Sequence, residues 1–380
     1  MAWGWLKRWF AHGHGTEGAG KPEHPQIRWL GPADNPWGVP VLDVRPITLG
    51  MLSITRDQQC AVNAMSFARD DGTGFIGVEP RVGRQVPAGL RFRVDRMLAD
   101  GALFLPTEME HKWALYFHRG QIICIRSWLR QVAAVADARI VGDSLEVTTL
   151  RGIFVSEDEE PRFTVRVLDY LLRSHALDMV YPAPLPPGEE QGPPRAALWC
   201  MSCFGNRAHF ATPHAVPGGP PEQPLRTHSL LHIAVARGDL ARVRGFLDAG
   251  VPADLLARDG LAPLHWALAG GDAAMVRLLV ERGSPVDVRS IEGATPLMNA
   301  AQARSIENVA LLLDHGANPN AADGRGFTAL HRAAEMGERE IVRLLLDRGA
   351  SPDAEAQGQT PRSLAASRGE GAVVELLDGR

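Results

Sequence analysis

Cys200, Cys203, His209 and His214 are the side chains whose types and spacing come nearest to a metal site, in the stretch WCMSCFGNRAHFATPH. Zinc takes thiolate sulfur and imidazole nitrogen, and a C-x2-C pair suits it. The remaining C-x5-H-x4-H spacing is much shorter than that of a zinc finger, and no strand-strand-helix pattern surrounds it. Trp199, Phe204 and Phe210 interleave with the set. The stretch therefore reads as a segment docked on an apolar surface, its thiols buried and inert, with no metal. Redox chemistry lacks its thioredoxin-like βαβ setting.

Acid and base groups gather further upstream: Glu108, Glu110, His111 and His118 beside one hairpin, and Asp169, Tyr170 and His175 on a helix. No nucleophile elbow, phosphate loop or H-E-x-x-H motif accompanies them. The glycines of DDGTGFIG (Asp70 to Gly77) lack the preceding strand and following helix of a phosphate loop. No catalytic residue and no cofactor are assigned.

The elements that would position these groups follow from hydrophobic period. KWALYFHRGQIICIRSW alternates about an Arg119-Gly120 turn, and ARIVGDSLEVTTLRGIFV about Gly142-Asp143, so each is a β-hairpin. In FTVRVLDYLLRSHAL, Phe163, Val167, Leu168, Leu171 and Leu172 share one helix face. Strands followed by a helix predict an α+β domain over residues 36–182. Residues 1–35 read as a tail. Within it Trp3, Leu6 and Phe10 fall at helical spacing beside Lys7 and Arg8, either as an interfacial anchor or as a terminus docking a Trp on its own domain. Residues 183–226 read as a Pro/Gly-rich linker holding the docked Cys/His segment.

From Thr227 onward the chain repeats. SLLHIAVARGD, APLHWALAGGD, TPLMNAAQARS and TALHRAAEMGE place His232, His265, Met298 and His331 33 residues apart, and Ser363 follows after 32. Each block continues into an apolar helix, from RVRGFLDAG to VVELLDG. A 33-residue period opening on T-P-L-H-x-A resembles the ankyrin repeat. Independent chemistry agrees. Thr295-Pro296 and Thr360-Pro361 suit helix starts, and Gly238, Gly271, Gly337 and Gly369 suit left-handed helix ends. Arg304 stands in that glycine slot, where a left-handed residue costs about 1–2 kcal/mol, so the third block is the loosest joint. Arg362, Ser363, Ser367 and Arg368 give the last block the polar face of a terminal cap. The first block has Leu230 in place of Pro and is apolar, which predicts that the linker or the N-terminal domain covers it. The expected fold is an N-terminal α+β domain with β-hairpins, followed by an all-α ankyrin solenoid over 227–380, four repeats plus a capping repeat.

The resemblance implies contacts at turn tips and at exposed positions late in each first helix. Carried over, these are Arg258, Asp259 and Leu261 with Ala269; Ile291, Glu292 and Ala294 with Gln302 and Ala303; and Arg325 and Phe327 with Glu335 and Met336. Phe327 and Met336, ringed by Arg325 and Glu335, have the make-up of a hot spot. The alternative for Phe327 is that it covers the adjacent turn. The repeat histidines, in the family, brace the neighbouring turn.

Forty basic against 44 acidic residues leave a net charge of −4, which argues against nucleic acid. No apolar run reaches the roughly 18–20 residues of a membrane span, so no stable membrane insertion is expected. MAWGWLKRWF lacks a signal peptide's apolar core, and four cysteines make no disulfide framework, so the cytoplasm is the expected location. Only Lys7, Lys21 and Lys112 are lysines, a bias toward arginine that points to a GC-rich, bacterial genome. The function expected is that of an adaptor binding a protein partner. Its rival is an enzyme or effector whose repeats recruit substrate to a catalytic N-terminal domain.

Overall fold

The computed structural model describes residues 26–379 apart from positions 54, 56, 96 and 189–191. Trp3, Leu6 and Phe10 lie outside the described residues. The strands are β1 (Arg28–Leu30), β2 (Val41–Asp43), β3 (Gln85–Arg93), β4 (Gly101–Phe104), β5 (Trp113–His118), β6 (Gln121–Arg126), β7 (Gln131–Val141), β8 (Ser144–Gly152), β9 (Ala183–Pro184), β10 (Phe210–Thr212) and β11 (His228–Ser229). Seven form an antiparallel sheet in the order β11-β4-β5-β6-β7-β8-β3, and four form a second sheet in the order β1-β2-β10-β9.

Both predicted hairpins are the centre of the larger sheet. Arg119 and Gly120 have φ of 50° and 75°, the left-handed pair that a two-residue turn needs to match strand twist. Alternation along β5 then sorts side chains to two faces. Trp113, Leu115 and Phe117 join the main core with the helices Pro161–Leu171 and Pro193–Phe204. Ala114 and Tyr116 face the other way, against Phe67, Ile123, Ile125 and Ile233. Every residue of β5 is buried because both faces are covered.

Over 183–226, expected as a linker holding a docked Cys/His segment, the docked part is a helix and a strand that belong to this unit. Pro193 and Pro194 open a helix, where the missing amide proton costs nothing, and Ala196, Ala197, Cys200, Cys203 and Phe204 of that helix are buried in the main core. β10 pairs with β2 and β9, closing the smaller sheet across almost the whole unit. The tail likewise ends before residue 35, since β1 pairs with β2 from Arg28 to Leu30.

Helix pairs follow, beginning with Leu230–Ala236 and Leu240–Asp248 and ending with Pro361–Arg368 and Gly371–Asp378. The first pair is welded to the N-terminal unit. β11 extends the seven-stranded sheet, with His228 opposite Ala102 and Ser229 opposite Gly101. One residue later Leu230 N–H donates to Asp100 O at 2.9 Å, and Ser229 caps the helix through the His232 amide. Ile233 packs beside Phe67 and Tyr116, and Arg237 and Arg242 reach Asp71 at 3.2 and 3.0 Å. The apolar outer side of the first pair is covered in this way.

Irregularity concentrates in the third pair, Pro296–Gln302 and Ile306–Asp314. Arg304 has a φ of 57° in the slot that is glycine elsewhere. Asn308, wholly buried, occupies the slot of Met275 and Ile341, and among the described residues neither amide atom of its side chain has a hydrogen-bond partner.

Candidate functional site

The turn tips between helix pairs are copies of one small hairpin. Ala257, Ser290 and Asp323 each donate an amide to the carbonyl four residues on, at Leu261, Ala294 and Phe327, over 2.8–2.9 Å. Gly260, Gly293 and Gly326 turn each tip with φ of 77–93°, a region that side chains avoid. Successive tips are tied directly, Ile291 N–H to Gly260 O and Gly324 N–H to Glu292 O, both at 2.9 Å.

Histidines hold the tips, all but that of Asp323 to Phe327, to the helix behind them. His265 Nδ1 accepts from the Ala262 amide, leaving Nε2–H to donate to Ala294 O at 3.1 Å. His331 does the same between Thr328 and Gln359 O, and His232 reaches Leu261 O at 3.1 Å. A ring that accepts at one nitrogen and donates at the other must be neutral. Burial favours that form and lowers all three values, His232 to about 3. In the third pair Met298 fills the slot, so the bond is missing there.

Between the tips and the inner surface of the first helices lies a groove of about 410 Å³. Of the residues carried over from the repeat pattern, it brings together Asp259, Leu261, Glu292, Gln302 and Arg325, with Ile291 and Ala294. Asp259 is fixed by Trp266 Nε1–H at 2.9 Å and by the Leu261 amide at 3.0 Å. Asp323 is tied up by the Arg325 and Phe327 amides and by Arg332 at 3.2 Å. Glu292 and Ile291 are exposed, Ile291 to 61%. The groove thus gathers Asp259, apolar Ile291 and Glu292 along successive tips, with Arg325 and Arg332 paired to Asp323 at the third.

Other carried-over positions sit elsewhere. Arg258 turns to the N-terminal unit, donating Nε–H to Ala176 O at 2.9 Å with its guanidinium 5.3 Å from the Phe104 ring. Burial, with Arg207 nearby, lowers its value to about 10. Phe327 is only 8% exposed and packs on Ala356 and Leu364, under the guanidinium groups of Arg325 and Arg332. It covers the adjacent turn and is not an exposed anchor. Glu335 pairs with Arg368, and Met336 is half-buried beside it. Ala269 and Ala303 are exposed outside the groove lining. Sequence reasoning missed Ser290, Asp323, Met298, Asn299 and Arg332. The period itself could have found them, because Asn299 and Arg332 repeat the Trp266 slot and Asp323 repeats Ser290.

In the N-terminal unit the acid-base candidates divide between separate places. His111 and His175 both meet the Phe104 ring edge-on, at 5.1 and 4.9 Å. Burial, reinforced by Arg207, takes His111 down to about 4 and holds His175 well below the ordinary imidazole value. His111 lies 3.1 Å from Glu108, while Glu110 accepts the Ser53 amide at 2.9 Å. His118 lies against Asp71 O at 2.8 Å, and Asp169 pairs with Arg173 at 2.8 Å, its carboxyl raised by burial. Tyr170 is enclosed by Phe204 and His175. Cys200 and Cys203 are buried in the core, His209 is partly covered, and His214 is exposed. Among the described residues no three His, Cys, Asp or Glu side chains are placed to hold a metal ion, and no helix is long and apolar enough to cross a membrane.

Stacked helix pairs joined by bridged tips define a repeat solenoid. Residues 231–323 match a family model for ankyrin repeats in three copies, and residues 312–365 a second for ankyrin repeats in many copies. The C-terminal part of the chain, 231–365, is an ankyrin-repeat array, a type of region that generally mediates protein–protein interaction. No curated protein matches the chain.

Proposed function

We propose that the chain is a protein-binding adaptor that presents the groove between repeats two and four to a partner protein. Its N-terminal unit, residues 26–226, clamps the first of four repeats, and the fifth helix pair is the cap. The observation that carries this is the groove itself, about 410 Å³ of surface where Asp259 and Glu292 face solvent beside exposed Ile291. Binding needs no chemistry here, only complementary contact. The partner fitting that lining carries a basic side chain toward Asp259 and Glu292, an apolar one at Ile291, and an acid or carbonyl toward Arg325. Leu261 and Gln302 complete the contact, and Glu335 and Met336 border it. The net charge of −4 favours a protein over a nucleic acid as the partner, and the cytoplasm is the place proposed for it.

Full-length chain and a Glu292→Arg/Gln302→Arg variant, changed at two exposed groove residues that brace no tip, are compared as baits in cell lysate. The expected result is a captured protein whose affinity for the variant falls by roughly 2 kcal/mol, about thirtyfold, at unchanged melting temperature. Equal capture by both baits places the partner elsewhere.

A further inference from the structure

A second groove, of about 490 Å³, lies on the N-terminal unit, between the chain after helix Arg45–Thr48 and the helix Pro193–Phe204. Met51 and Leu52 form one wall, Leu198 and Met201 the other, with Trp128 and Leu129 at the end. Leu52 is 81% exposed, Leu129 53% and Leu198 49%. Apolar side chains exposed together along a groove can seat an apolar partner. Its two cations are engaged within the unit: Lys112 binds Ser53 Oγ and lies 3.8 Å over the Trp128 ring, and Arg126 binds the Ser202 and Cys203 carbonyls.

We propose that the groove is the dock for residues 3–10 of this same chain, WGWLKRWF. With about 3.6 residues per helical turn, Trp3, Trp5, Leu6, Trp9 and Phe10 fall on one half of a helix, and Lys7 and Arg8 on the other. The aromatic half fills the groove, and the basic half faces water, away from Lys112 and Arg126. The path is short. Arg28 stands opposite Asp43 in the β1–β2 register, so the described chain starts at the end of the sheet where β2 leads into Arg45–Thr48 and on to Leu52. Fifteen residues, 11–25, separate that segment from the described chain, and a Gly-rich stretch of that length reaches on the order of 20 Å. Tethering at that range gives an effective concentration of order millimolar, which favours this occupant over a free partner or a second copy.

The test uses a variant lacking only residues 1–12 and a labelled peptide of residues 1–16, followed by fluorescence anisotropy. The peptide is expected to bind the shortened protein saturably, and to bind the full chain at least tenfold more weakly because the dock is filled. Leu129→Asp in the shortened protein, or Leu6→Asp in the peptide, is expected to cost a further tenfold or more. Leu129 is a half-exposed turn residue; if its variant fails to fold, Leu52→Asp serves in its place. Absence of saturable binding, equal binding to the full chain, or indifference to the groove substitutions overturns the proposal. So does binding of the full chain to phosphatidylglycerol vesicles through residues 1–12, or a dimer in light scattering that Leu129→Asp dissolves.

Discussion

The two parts of this molecule are held together over different ranges. In the N-terminal unit, Thr48 Oγ1 donates to Ala208 O, 160 residues on, and Trp113 Nε1 to Cys203 O, 90 residues on. In the repeats the braces from His232 and His265 reach 29 residues, to the next tip and no further. A unit closed by its last segments has no stable part, whereas an array of neighbours loses stability pair by pair. Damage should therefore spread in the first and stay local in the second.

One substitution made in both places tests this most strongly. Phe204 is fully buried against Tyr170 and Trp199, and Phe204→Ala is expected to cost about 3–5 kcal/mol. Hydrogen exchange should rise throughout the N-terminal unit. Phe327→Ala, at a site packed on Ala356, Leu364 and the His331 ring, is expected to cost about 3 kcal/mol, with exchange rising only beyond residue 327. Uniform exchange across the repeats would break the contrast.

The joint between the parts should respond to acid. Burial alone would raise the Asp71 carboxyl, but hydrogen bonds from Thr73 and the charges of Arg242 and Arg237 hold it from 3.8 down to about 2. Its contribution is thus complete above about pH 4 and is lost as pH falls toward 2. Asp71→Asn is expected to cost about 1–2 kcal/mol, kept small by the partial exposure of both guanidinium groups. Urea unfolding of variant and parent at pH 7 and pH 2.5 should give curves that differ clearly at the first and draw closer at the second.

The smallest effect sharpens the picture of local stability. Asn308→Leu removes two unpartnered amide atoms from an apolar slot and is expected to stabilise by about 1 kcal/mol. Thermal melting should rise, with slower exchange in residues 296–314 and little change near the N-terminal unit.

How much could be read from sequence follows the same division. The array's helices, caps and cap residues were legible because each contact recurs at a fixed spacing. Both N-terminal hairpins were legible from Arg119-Gly120 and Gly142-Asp143, since such turns are local. Residues 193–212 were legible in part. Trp199, Phe204 and Phe210 announce a docked segment with buried thiols, but the prolines read as linker and conceal that Ala196, Cys200, Cys203 and Phe204 are one helix face. The groove was legible in part, through Asp259, Leu261, Glu292, Gln302 and Arg325. Arg258 and Phe327 were misplaced because distant residues decide them, Ala176 for the first and Leu364 for the second.

The strand at His228–Ser229 also bears on how the molecule is made. β4 is complete at residue 104, yet its outer neighbour is 124 residues later in the chain. At roughly 5–20 residues per second, a ribosome takes on the order of ten seconds to supply it. During that interval the nascent chain offers a free edge carrying Ala102, Leu103 and Phe104, which is the kind of surface that pairs with a wrong strand. The first ankyrin repeat is then the piece whose synthesis ends the exposure, and a chain cut short before it is the one a chaperone would have to hold.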